Sequence, residues 1–269
     1  MGSKLMCACC VLLLGTTQAL AAAAVTDNLV SLAAQTQNNV PVTFGQVFKV
    51  DDIPRDATVT ATLNGQPVTL QVDAKATYPN GSLRHAVLTL MAPSLGGKAS
   101  LPLKLSAEPA LPEGSNPVTL PQLLATSYDA WVSLDIAGKT YTANARALLQ
   151  AADSSKACKP WGGQCNVWLS GPLASEWVVN GPVTASDNTA DPNLRVYFAV
   201  RAYAGATQGS VGYVHTDVIV ENTSAFAPQA QPQYTATLIS GTATYTSPAL
   251  TQYAYTRWHK PLWWNNAEP

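Results

Sequence analysis

The chain has 269 residues, 15 basic and 16 acidic side chains, a formal net charge of -1 and no basic run, which argues against nucleic acid as a partner. With 47% apolar and only 12% charged residues it can bury one large core or two smaller ones. Many Thr, Val, Ala and Gly beside few Lys and Glu favour strands over long helices.

Residues 1–24 have the form of a cleaved export signal. Lys4 is the basic lead, Leu5 to Gly15 the apolar stretch, and Ala19-Leu20-Ala21 and Ala22-Ala23-Ala24 the small-residue cleavage candidates. The stretch gives way to Thr16, Thr17 and Gln18 before reaching the ~18 residues a membrane anchor needs, and no later segment is long enough. Cys7 stands near the start of the apolar core, not after it, where a lipid acceptor belongs. The expected location is therefore secreted or periplasmic, with no membrane contact after cleavage. Cys7, Cys9 and Cys10 leave with the signal. Cys158 and Cys165 remain, and in an oxidising compartment their closeness predicts one disulfide. Closing such a loop stabilises a fold by about 2 to 3 kcal/mol. Neither His85 nor His215 lies near the pair, so no metal is expected.

Residues 25–39 carry little period and read either as a flexible lead or as a first edge strand. Residues 40–105 then read as an antiparallel meander. Ala57 to Leu63 alternates Thr with apolar residues, Asn64-Gly65 turns, Gln66 to Thr77 runs back, and Tyr78-Pro79-Asn80-Gly81 turns again into Ser82 to Met91. Pro at the second turn position followed by Asn and Gly fits a type I turn closed by a bulge.

The succession FGQVF (residues 44–48), Ile53-Pro54, NGQPV (64–68) and LQVDAKATYPNGSLRHAVLTL (70–90) resembles the N-terminal β domain, a RIFT barrel, of exo-acting rhamnogalacturonan lyases. The likeness covers Pro41 to Met91. The chain has Asn80 where that family commonly has Asp and His85 where it commonly has an aromatic residue. The resemblance implies a non-catalytic module accompanying a C-terminal catalytic α/α toroid, with uronic-acid-containing glycans as the substrate class.

Residues 106–117 (SAEPALPEGSNP) form the best internal boundary. In the region 118–257, Thr119 to Leu124 suggests one helical turn, Trp131 to Ala143 a hairpin about Ala137-Gly138-Lys139, and Ala143 to Ala152 a short helix, with Ala145, Leu148, Leu149 and Ala152 on one face. Val167 to Leu169, Trp177 to Val179, Leu194 to Tyr203, Val211 to Val220, Tyr234 to Ile239, Thr242 to Thr246 and Leu250 to Arg257 have strand length, which predicts a sandwich-like region. The resemblance implies that residues 258–269 are an aromatic connection to a further catalytic domain, with Trp258, Trp263 and Trp264 at the domain interface.

For chemistry, His85 shares a strand face with Leu83 and Val87 and reads first as structural. His215 and Asp217 share a face two apart, a pattern that ordinary polar contacts produce more often than catalysis. No nucleophile elbow, phosphate loop or dinucleotide fingerprint occurs. No catalytic residue and no cofactor are assigned. Ligand contact falls on Tyr78, Arg84 and His85 at the second turn and on Trp161 inside the cysteine loop, where a displayed ring could stack on sugar; Trp168 and Trp177 read as core.

The expectation is an all-β protein, a barrel-like meander followed by a sandwich-like region, serving as the non-catalytic part of a polysaccharide-degrading protein. The alternative is a structural or adhesive surface or virion module that makes protein contacts only.

Overall fold

The computed structural model describes residues 23–110, 116–154, 158–159, 165–207, 209–226 and 228–265. The fold is all-β. Its first module contains β1 (Ala23–Val30), β2 (Gln37–Val47), β3 (Ala57–Leu63), β4 (Gln66–Val68), β5 (Leu70–Thr77), β6 (Leu83–Leu95) and β7 (Ser100–Pro109). They form two sheets, ordered β1-β7-β3-β4 and β2-β6-β5. Period-two alternation points Val59, Ala61, Leu63, Leu103 and Leu105 from one sheet at Ala86, Leu88 and Leu90 from the other. Phe48 and Ile53, each 1% exposed, complete this core. A side chain of their size contributes about 1.5 to 3 kcal/mol when fully buried.

Both glycine turns form. Asn64 and Gly65 lie at φ 50° and 77°, joining Leu63 to its cross-strand partner Gln66. Gly81 lies at φ 87° and its N–H donates to the Tyr78 carbonyl. The meander itself differs from the sequence reading. Gln66 to Thr77 is two strands, because the chain leaves β3 after Val68 and crosses to pair with β6 from Leu70 onward. Pro67 lies opposite Thr62 without a donor, which keeps β4 a short edge strand, and the switch lets both sheets face one core. The stretch before residue 40 resolves in favour of an edge strand, since β1 runs antiparallel to β7 from Ala23 opposite Ser106 to Val30 opposite Ser100. β7 continues to Pro109, so the boundary segment begins as strand.

The second module comprises α1 (Leu120–Leu124), β8 (Ala130–Ile136), β9 (Lys139–Asn144), α2 (Ala145–Ser154), β10 (Cys158–Lys159), β11 (Cys165–Ser170), β12 (Ala174–Ala185), β13 (Ala190–Ala204), β14 (Val211–Asn222), β15 (Gln233–Ser240), β16 (Ala243–Thr246), β17 (Leu250–Thr251) and β18 (Arg257–Trp264). A capping box between Thr119 and Gln122 starts α1, and Asn144 Oδ1 accepts from the Ala147 N–H at the start of α2. The strands make one eleven-stranded sheet whose main order is β16-β15-β8-β9-β12-β13-β14-β18. This is a nearly closed barrel instead of the two layers of a sandwich. Leu194, Val196, Phe198, Val200 and Ala202, then Val214, Val218 and Val220, then Tyr234, Ala236 and Leu238 point inward. Leu120, Leu123, Ala145 and Leu149 pack the helices onto this core.

The aromatic stretch is the strand that nearly closes the barrel. β18 pairs with β14 from Trp264 opposite Val214 to Arg257 opposite Glu221. Trp258 Nε1 donates to Tyr234 Oη on β15 at 2.8 Å. Trp264 meets Tyr128 edge-on at 6.3 Å and lies against Gly241, where an added Cβ would stand 3.2 Å from the indole. Trp258, Trp263 and Trp264 thus contact this module itself. Pro261 obscured the strand, yet β18 is an edge with one paired side, which tolerates a missing donor. Leu250 to Arg257 is likewise not one strand. β17 ends at Thr251, and Tyr255 at φ 60° reverses the chain. Cys158 and Cys165 form the expected disulfide, with Cα atoms 4.5 Å apart. Trp161 lies outside the described residues.

Candidate functional site

The β5–β6 turn places Tyr78 and Arg84 together. The Tyr78 N–H donates to the Ser82 carbonyl, and Asn80 Oδ1 accepts from both the N–H and the hydroxyl of buried Ser82. Asn80 Nδ2 donates to Asp51 Oδ1 at 2.7 Å, tying the turn to the β2–β3 loop. Tyr78 Oη donates to the Phe48 carbonyl at 2.9 Å, which fixes its ring. The Arg84 guanidinium stands 5.8 Å from that ring, at the reach of a cation–π contact. Arg55 packs on the turn as well, because a Cβ added at Gly81 would lie 2.9 Å from Arg55 Cδ. Both guanidiniums belong to exposed residues, and neither has an ion pair among the described residues. The neighbouring carboxylates are directed to neutral donors, Asp51 to Asn80 and Asp52 to the Lys49 N–H. A ring with one exposed cation at its face and a second exposed arginine packed on the same turn suits a carboxylate-bearing ligand.

His85 does not join them. It lies on the β6 face shared with Val87 and Thr89, against Gly45, where an added Cβ would be 3.3 Å from Nε2. That face looks toward the second module. Gly81→Val should destabilise by about 1 to 3 kcal/mol, since a β-branched residue must adopt φ 87° and displace Arg55. His85→Gln should change stability less; chemical denaturation of both variants checks the order.

The second candidate lies at the junction of the modules. Glu176, Arg201, His215 and Trp263 face one another in register across β12, β13, β14 and β18. Arg201 Nε lies 2.5 Å from Glu176 Oε2, and His215 Nδ1 lies 3.9 Å from Asp217 Oδ2. The Trp263 ring stacks on Tyr203 at 6.2 Å and sits 4.8 Å from the His215 ring. Tyr203 Oη reaches Thr43 Oγ1 of the first module at 3.1 Å. Lys75 Nζ sits 4.4 Å over the Trp168 ring and donates to the Trp168 carbonyl, so Trp168 belongs to the junction while Trp177 is core. Burial pushes the Glu176 carboxyl up, against the opposing pull of Arg201, and burial lowers Lys75 against Asp73 and Glu176. Burial also opposes the charge on Arg201, but Glu176 and Tyr203 outweigh it and raise the guanidinium above its ordinary value.

Gln71, 5% exposed, joins the modules further along β5. Its Oε1 accepts from the N–H groups of Leu173 and Ala174, and its Nε2 donates to the Ala174 carbonyl, each at 2.8 Å, and to Asp73 Oδ2 at 2.6 Å. Asp73 Oδ1 accepts from the Ser170 N–H. Gly171 is required here, because any Cβ would overlap the Gln71 amide. A cleft of about 860 Å³ adjoins this contact, lined among others by Thr60, Val68, Leu70, Glu108, Pro117 and Gly171. Its lining offers neither a cation nor an aromatic ring, unlike the Tyr78 turn.

The His215–Asp217 proximity was readable from sequence as two same-face residues. Glu176 and Arg201 gave no such signal, because their pairing depends on the β12–β13 register. No group of three or more His, Cys, Asp or Glu among the described residues could hold a metal ion, and no helix among them is long and apolar enough to cross a membrane. The chain matches no family model and no curated protein.

Proposed function

We propose that this chain is the exported, non-catalytic β part of a polysaccharide-degrading protein and that it contacts uronic-acid-containing glycans. The observation that carries the reading is the Tyr78 turn, where the Arg84 guanidinium stands beside a fixed aromatic ring, Arg55 packs on the same turn, and neither arginine has an ion pair among the described residues. A uronate carboxylate can take charge-assisted hydrogen bonds from such cations while its ring lies against the tyrosine. The RIFT-barrel resemblance of Pro41 to Met91 points the same way. The leader-like segment and the disulfide fit a secreted or periplasmic protein, and cleavage of the glycan is assigned to a catalytic domain outside this chain.

Affinity electrophoresis in polygalacturonate gels tests this. The protein should be retarded, and Arg84→Ala should weaken binding about tenfold, the equivalent of about 1.4 kcal/mol and typical of a lost charge-assisted contact. His85→Gln should bind as the parent does. Equal retardation of Arg84→Ala and parent, or none for either, would remove the uronate reading and favour the module that makes protein contacts only. Ultraviolet absorbance of unsaturated uronate ends should not rise when the protein is incubated with rhamnogalacturonan; a sustained rise abolished by Arg84→Ala would assign catalysis to this turn.

A further inference from the structure

We infer that the loops joining β14 to β15 and β17 to β18 form a second saccharide site, one that takes neutral sugar residues by their apolar faces. From Asn222 to Thr256 the sequence holds no Asp, Glu, Lys, Arg or His. In the same stretch Phe226, Tyr253 and Tyr255 are 87%, 57% and 65% exposed. Large rings are ordinarily covered, so three of them on adjoining loops mark a contact surface.

The loops are braced for that role. Buried Asn222 donates through Nδ2 to the carbonyls of Ala230 and Gln252, its N–H donates to the Thr256 carbonyl, and its own carbonyl accepts from the Tyr255 N–H. Tyr255 Oη donates to the Ala225 carbonyl at 3.0 Å, which ties one loop to the residue preceding Phe226. Tyr255 is also held at φ 60°, a conformation that glycine and asparagine adopt freely and tyrosine rarely does. Such strain persists where the surroundings impose it, and it is concentrated at binding positions.

The ligand class follows from the charge. An acidic sugar would find no cation on these loops, whereas the C–H face of a neutral pyranose stacks on an aromatic ring and its hydroxyls meet Thr, Gln and Ser side chains. A stable protein complex buries about 800 Å² on each partner, and three partly exposed loop rings, each roughly 150 to 250 Å² when whole, supply less than that, while a short glycan does not require it. This site is independent of the uronate contact at Tyr78.

The test uses the full chain in affinity gels containing galactan, mannan or dextran, run beside polygalacturonate. Retardation in at least one neutral gel is expected, weakened at least tenfold in Phe226→Ala/Tyr253→Ala, with polygalacturonate retardation unchanged. Because both rings are more than half exposed, that variant should melt with the parent. Migration unaffected by all three neutral polymers, or equal retardation of variant and parent, overturns the inference. So does sedimentation showing a dimer that the same double variant dissociates, since the rings would then cover a second copy.

Discussion

Gln71→Leu should lower stability by about 3 kcal/mol and split one unfolding transition into two, as followed by chemical denaturation with circular dichroism and tryptophan fluorescence. Leucine nearly matches glutamine in volume, so a cavity is not the source of the loss. The loss arises because the N–H groups of Leu173 and Ala174 give up the acceptor that Gln71 supplies, while the Ala174 carbonyl keeps the Gly171 N–H. Each buried polar group left unpaired costs about 1 to 3 kcal/mol. Gly171 packs against the same amide, so the turn cannot readily shift to find substitutes. A loss below about 1 kcal/mol would mean that solvent replaces the amide and that the modules are held elsewhere.

Arg201→Met should cost about 3 to 5 kcal/mol at neutral pH, because it leaves the buried Glu176 carboxylate without its partner. The penalty should shrink on acidification. The folded Glu176 carboxyl is raised above its ordinary value of 4.5, with burial as the largest cause and Arg201 pulling the other way. A carboxyl raised on folding contributes stability that is fully present below its unfolded value and is lost as pH rises through the folded value. Removing Arg201 removes the downward pull, raising Glu176 further and widening that window. In acid the variant folds with a neutral carboxyl and approaches the parent. Asp217 and Lys75, the other charges felt by Glu176, act in opposite senses and do not reverse this sign. Replacing both partners by apolar residues, in Glu176→Leu/Arg201→Met, should recover most of the loss at neutral pH. A penalty equal at neutral and acid pH would show that Arg201 matters by packing and not by charge.

Local chemistry made much of this fold legible. Asn64-Gly65 and Pro79-Asn80-Gly81 announced their turns because the backbone there needs positive φ. The run from Thr119 to Leu124 announced α1, and runs of strand length announced β13, β14 and β15. Alternation cannot say which sheet a strand joins. The residues from Gln66 to Thr77 therefore looked like one strand, though Leu70 onward belongs with β6. The closing strand was missed because Pro261 and a row of tryptophans hide its period. At the candidate site, Tyr78 and Arg84 could be placed together by the short turn between them. The contribution of Arg55 comes from a loop more than twenty residues earlier, and the Glu176–Arg201 pair from a register that no local pattern encodes.

The second module is sealed unequally on the two sides of β18. Toward β14 the strand is held by a ladder running the whole way from Arg257 to Trp264. Toward β15 and β16 it is held by side chains, Trp258 on Tyr234, Lys260 over the Tyr245 ring and the indole of Trp264 over Gly241. Mechanically this is a tube with one riveted edge. A force along β18 must shear the entire ladder at once, whereas a force across the edge meets individual rivets, so the barrel resists stretching far better than it resists being pried open.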